Sequence, residues 1–352
     1  MKGTLFCSSQ EQLYVVTPLL PKEWSLCKCV VERRQPQFVD EAYRVKVDRL
    51  QHRFLNEMLA TSGITHYVLW YYTPMAFSFS EHLRPLATIY DCMDELSAFL
   101  SAPPALRERE VALLQRADLV FTGGQSLYEA KRSRHRHVYA FPSSVDAAHF
   151  HAARFRQQEP LDQRYIAHPR LGFYGVLDER FDGNLVAQIA DAQPNWQIIL
   201  VGPLAKIELS DLPQRPNIHV LGPKSYDELP AYLAGWGVAL LPFAHNDSTR
   251  FISPTKTLEY LAGGKPVVST SIRDVVSPYG EQGLVRIADT ADAFIAAIRE
   301  ALEEPREARL PRIDAFLAHT SWDATWESMR SLVEGIIVAN RHEVEGEGSV
   351  HV

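Results

Sequence analysis

Cysteine is scarce in this chain, with four in 352 residues, too few to staple a protein of this length with disulfides. Cys27 and Cys29 form a lone C-x-C with no second pair, so no zinc site is expected. Cys92 lies beside an apolar run and reads as a small buried hydrophobe. No histidine pair has a metal-ligand spacing and no D-x-D triplet occurs, so neither a catalytic metal nor another cofactor is expected. Long apolar runs are absent too; none approaches the roughly 18 residues of a membrane-spanning helix. The N-terminus "MKGTLFCSSQEQLYVV" has one early lysine but no long apolar core and no clear cleavage site. No signal peptide is expected, and the chain reads as cytoplasmic. Basic charge is in deficit, with 36 Lys and Arg against 43 Asp and Glu and a formal net charge of −7, which argues against a nucleic-acid partner. No internal repeat of solenoid period is present.

What is present is ordinary globular material, 46% hydrophobic and 22% charged, enough by length for about two domains. Short runs rich in Val, Ile, Tyr and Phe at 12–17, 66–72, 86–91, 118–123 and 137–142 alternate with helix-like stretches at 40–60, 104–116 and 125–133. That alternation is the pattern of a parallel sheet wrapped by helices. It breaks over 141–169, which is polar and reads as a crossover and linker. A second alternation follows, with strands expected at 170–175, 196–202, 217–222, 237–243, 265–270 and 283–288 and helices at 181–192, 225–234, 254–262, 290–303 and 321–339. The expected class is α/β, two doubly wound Rossmann-like domains facing a cleft. Residues 1–150 form the first domain, 151–169 a linker and 170–320 the second domain. A C-terminal helix at 321–340, crossing back to the first domain, and a loose tail at 341–352 complete the plan. In such sheets ligands sit beyond the carboxyl ends of the strands.

One segment, "SPTKTLEYLAGGKPVVST" (253–270), carries chemistry. Ser253 reads as an N-cap, Pro254 as the first helical residue, and Gly263 and Gly264 as the stop. Lys256 then falls in the first turn, where a cation opposes the helix dipole by roughly 0.3–1 kcal/mol. Lys256, Glu259 and Tyr260 stand at i, i+3 and i+4, one face of the helix. That face offers a cation to phosphate oxygens and a carboxylate to sugar hydroxyls; a solvated Lys–Glu pair is the plainer alternative.

The spelling of 253–270 resembles the signature of GT-B glycosyltransferases. "GFYGVLDERFDGN" (172–184), "VGPLAK" (201–206), 217–243 and "FPSSVDAAHF" (141–150) agree with that family in order, so the resemblance spans roughly 65–335. It implies a GT-B fold and a nucleotide-sugar donor whose ribose meets Glu259. It also implies diphosphate contacts from Arg180, Lys206 and Lys256, a close-approach turn at Gly175, and donor-side contributions from Ser253, Pro254, Thr255 and Tyr260. "LWYYTPMA" (69–76), "YDCMDELSAF" (90–99) and "FTGGQSLYEAKR" (121–132) are similar to a bacterial subgroup of cell-envelope and exopolysaccharide pathways, including teichuronic acid-type glycosyltransferases. The acceptor implied is a glycan or a lipid-linked acceptor. Where retaining members often carry E-x7-E, the first acidic position here is Phe251 with Arg250 beside it, so that acid is absent or displaced to Asp247.

In the first domain, Asp94 is the first candidate for the base that takes a proton from the acceptor hydroxyl and Asp91 the second. The alternative for Asp94 is a helix cap. Tyr71, Tyr72 and Pro74 are candidates for the acceptor side, against the alternative of core aromatics. "KRSRHRH" (131–137) reads either as a solvated helix end or as a peripheral contact with anionic lipid of the inner membrane. Two rival functions stand beside glycosyl transfer, a GT-B nucleotide-sugar epimerase and a non-catalytic accessory protein of the same fold.

Overall fold

The short apolar runs become strands because each is flanked by turn residues and rich in side chains that fill a pleated surface. The computed structural model describes residues 6–7, 12–13, 41–155 and 158–348. Phe6–Cys7 (β1) and Gln12–Leu13 (β2) pair antiparallel. The rest of the strand expected at 12–17, and Cys27 and Cys29, lie outside the described residues.

The first sheet contains Val68–Tyr71 (β3), Ala87–Cys92 (β4), Leu119–Thr122 (β5) and Val138–Ala140 (β6), all parallel and in sequential order. The second contains Arg170–Tyr174 (β7), Gln197–Val201 (β8), Ile218–Gly222 (β9), Val238–Leu241 (β10), Val267–Ser269 (β11) and Val285–Ile287 (β12). Its order is β12-β11-β10-β7-β8-β9, again all parallel. The chain winds outward from β7 to β9 and then returns to lay β10 on the other side of β7. That reversal opens a crevice beyond the carboxyl ends of β7 and β10.

The helix Trp322–Gly348 leaves the second domain and packs on the first sheet. Met329, Leu332, Val333, Ile336 and Ile337 recur at helical spacing and lie against Ala87, Ile89, Leu119 and Phe121. The helix continues past 340 to Gly348, through residues expected to be a loose tail. Once a helix is nucleated and packed, adding good helix formers such as Arg and Glu costs little.

The segment expected as a linker is instead part of the second domain. Phe150, the last residue of the range expected for the first domain, and Ala153 are buried in the large core with β7 and β10. Gln163 is fully buried; its amide donates to the Tyr232 carbonyl and accepts from the Trp236 indole. Arg170 pairs with Glu159 at 2.5 Å. A polar stretch without alternation looks like a linker, yet its polar groups are the ones that satisfy buried partners. The helix Arg306–Leu317 was also not expected, because Pro311 interrupts its pattern. Ile313 and Leu317 join the core, and the Arg309 guanidinium donates to the Gly264 carbonyl, which offsets the broken backbone bond.

Candidate functional site

At the crevice, β7 is followed by Gly175, with φ at +146°, a region open in practice to glycine alone. The Lys256 side chain lies across this turn; a Cβ on Gly175 would sit 2.0 Å from Lys256 Cε and 2.8 Å from Nζ. The ammonium also stands 5.9 Å from the Phe173 ring centre. Lys256 makes no salt bridge among the described residues. Burial holds its pKa below that of an ordinary lysine, although Glu259 acts in the other direction. Glu259 is raised, again first by burial. A cation and a carboxylate are thus held half-buried at a strand end, each influencing the other's charge but neither in a salt bridge among the described residues.

The helix begins at Lys256, not at Pro254. Ser253 provides no cap, and the Pro254 carbonyl accepts the Thr257 N–H at 3.1 Å. Ser253 is used elsewhere, against Gly124 of the first domain. Thr255, already in helical conformation, is the flanking residue. Tyr260 does not face a ligand. It is fully buried, and its hydroxyl accepts the Tyr174 N–H at 2.9 Å. It shares a helix face with Lys256, but one turn deeper, so the same face that lays Lys256 over Gly175 drives Tyr260 into the core below.

Arg180 and Lys206 approach from neighbouring loops. Arg180 forms a two-pronged pair with Asp178, 2.7 Å at the closest, which raises its pKa. Lys206 pairs with Glu179 at 2.8 Å. Both cations lie over the ring of Phe99, at 5.4 and 5.3 Å. Phe99 belongs to the first domain, in the loop that also carries Asp94. Asp94 does not cap the short turn Leu96–Ala98, which has no side-chain cap. Burial raises its pKa, opposed by Arg180 and Lys256. Asp94, Arg180, Lys256 and Glu259 are therefore one electrostatic group drawn from both domains.

The other first-domain candidates fall elsewhere. Asp91 faces the side of β4 covered by the C-terminal helix; the Trp70 indole donates to it at 3.0 Å, and burial raises its pKa to about 6. The period of two along β4 puts Asp91 beside Ile89 and Ala87, while Asp94 lies past the strand end. Tyr71 is core, with its hydroxyl 2.7 Å from that of Ser80, and Pro74 is buried at the start of a short helical turn. Tyr72 is 64% exposed.

Gly124, of the "TGGQS" loop, admits the second domain. A Cβ there would sit 2.1 Å from Asp274 Oδ2 and 2.9 Å from Ser253 Cβ. The buried Asp274 carboxylate accepts the Ser126 N–H at 3.0 Å, and Arg273 pairs with Glu129. These contacts clamp the domains together beside the crevice.

Two further residues went unread in the sequence. His149 stacks on Tyr226 with ring centres 4.3 Å apart, and both lie close enough to Glu259 to exchange charge effects with it. They come from the family-like segments 141–150 and 217–243, 77 residues apart, and spacing alone gives no sign that they meet. Among the described residues no cluster of three or more His, Cys, Asp or Glu could hold a metal, and no helix is long and apolar enough to cross a membrane.

Residues 169–304 match the family model of glycosyl transferases group 1. That match covers the second domain alone, and the chain as a whole has the GT-B fold. A similar protein is TuaH of Bacillus subtilis (strain 168), provisionally named a teichuronic acid biosynthesis glycosyltransferase. It is 26% identical over 257 residues, which are 67% of this chain and 62% of TuaH. The chain thus spans less than two thirds of that relative. Among solved structures, sucrose-phosphate synthase from Thermosynechococcus elongatus aligns with a TM-score of 0.67 at 15% identity, over 86% of this chain and 81% of that one. HepE of Anabaena, in complex with UDP and glucose, aligns at 0.53 and 16% identity, over 88% and 81%.

Proposed function

We propose that the chain transfers a sugar from a nucleotide-diphosphate sugar to a glycan or lipid-linked acceptor in envelope or exopolysaccharide synthesis. The observation that carries this reading is the unpaired Lys256 laid over Gly175 at the switch point of the second sheet, with Asp94 facing it from the first domain. Lys256 and Arg180 offset the charge of the departing diphosphate. Glu259 accepts hydroxyls of the nucleoside, with Tyr226 and His149 as a stacking surface for the base. Asp94 takes the proton of the acceptor hydroxyl as that oxygen bonds to the anomeric carbon and the diphosphate leaves. This chemistry is supplied by side chains of the chain itself, with no metal or cofactor assigned a step. The TuaH likeness supports an envelope acceptor, and the UDP bound to HepE makes UDP the first nucleotide to try.

The protein is read as cytoplasmic, in peripheral contact with the inner membrane through the exposed Arg132 and Arg136. The test of the donor site is calorimetric titration of UDP, GDP and dTDP into the wild type, Lys256→Ala and Glu259→Ala. Micromolar binding of one nucleotide, weakened by both changes, is expected. A folded sample that binds none of them sinks the reading in favour of an accessory protein.

A further inference from the structure

A cavity of about 440 Å³ lies between the domains, on the far side of the loop that carries Asp94. That volume falls within the roughly 300–1,000 Å³ of small-ligand pockets. The first domain contributes Arg107, Arg134 and Ser97, and the second contributes Asp247, Arg250 and Phe251. Two bonds across the interface fix the wall: Ser248 donates its hydroxyl to the Ala98 carbonyl at 3.0 Å, and the Leu100 N–H donates to Glu179 at 3.2 Å.

The cations of this cavity are not consumed by its carboxylates. Glu95 and Glu110 also line it, but both are compensated from behind. Lys131, 1% exposed, places Nζ 2.6 Å from an oxygen of each, and Arg134 holds the other Glu110 oxygen at 2.9 Å. Counting Lys131, four cations stand against three carboxylates. Arg107 and Arg250 form no salt bridge among the described residues. The Arg250 guanidinium stacks 5.1 Å over the Phe251 ring, which leaves its in-plane N–H donors free. Phe251, packed against the first-domain core, supplies the apolar part of the cavity wall. Glu95 directly follows Asp94 in the chain, so the cavity wall and the proposed base share one loop.

We infer that this cavity binds an anionic sugar of the acceptor, presenting a carboxylate or a phosphate to Arg107 and Arg250. The inference rests on the proposed transfer reaction for its biological meaning, but the binding itself does not. Arginine forks match either anion in two-pronged geometry.

The probes are 4-nitrophenyl β-D-glucuronide, the corresponding neutral glucoside, and the glucoside 6-phosphate, titrated by calorimetry with and without saturating UDP. The expected result is at least ten-fold tighter binding of one or both charged glycosides than of the neutral one. The two charged probes separate a carboxylate site from a phosphate site. Arg250→Ala and Arg107→Ala each weaken the charged probe at least five-fold and leave the neutral glucoside and UDP unchanged. Equal affinity for charged and neutral probes, no binding of any glycoside, or a preference that survives the combined Arg107→Ala, Arg250→Ala variant would overturn the inference. Failure of UDP to bind the wild type would sink the donor reading instead, and the titrations without UDP still decide the cavity.

Discussion

Gly175→Ala presses on the contact at the centre of the candidate site. The φ of +146° alone sets a cost of roughly 1–3 kcal/mol for any side chain there. The new Cβ would lie 2.0 Å from Lys256 Cε, so the lysine must also leave its seat. These two effects separate in a double-mutant cycle with Lys256→Ala, where the clash is gone and the backbone cost remains. Lys256→Ala by itself should not destabilise the free protein, since burial already disfavours its charge. It should weaken nucleotide binding by one charge-assisted hydrogen bond, roughly 1.5–3 kcal/mol, or about ten- to hundred-fold in Kd. Gly175→Ala should weaken binding to a similar extent, and the double variant no further than Lys256→Ala. Stability is read by urea unfolding and affinity by calorimetry with UDP. Additive binding losses, or a free protein clearly destabilised by Lys256→Ala with unchanged affinity, would refute the assignment of Lys256 to an anion site.

Asp94→Asn should leave nucleotide affinity intact and cut transfer about 10²- to 10⁴-fold, as expected of a lost general base. The wild-type rate should fall as pH drops through a pKa above the ordinary carboxylate range, because the base must be ionised; a pH-independent rate would remove Asp94 from that role. Asp91→Asn keeps an acceptor for the Trp70 indole and abolishes the titration. Native Asp91 holds its proton up to about 6 against 3.8 for a solvated aspartate, so wild-type stability falls as pH rises through that window. The two proteins should therefore match near pH 4 and differ by at most roughly 3 kcal/mol above pH 6, with the variant the more stable; parallel pH profiles would contradict the buried placement. Gly124→Ala puts a methyl 2.1 Å from Asp274 Oδ2 and should part the domains, seen as a larger radius of gyration in small-angle scattering and reduced transfer. Unchanged scattering and activity would show that the clamp does not hold the closed arrangement.

The sequence by itself determined the parallel α/β class, since the positions of the strands follow from short apolar runs and turn residues. It also located Lys256 and Glu259, because a cation in the first turn of a helix is a local anomaly readable from spacing. Asp94 was legible for a similar reason, as a carboxylate just past an apolar run. Tertiary structure alone decided what each of these residues meets. Tyr260 shares a helix face with Lys256, but only the position of β7 beneath that face makes one a core residue and the other a free cation. Gly124 reads as a tight turn until Asp274, 150 residues later, is seen to need its missing side chain. The buried Gln163, the His149–Tyr226 stack and the arginine-lined cavity were illegible for the same physical reason. Each joins residues far apart in sequence whose meeting depends on strand order and domain closure, and none leaves a periodic trace in the chain.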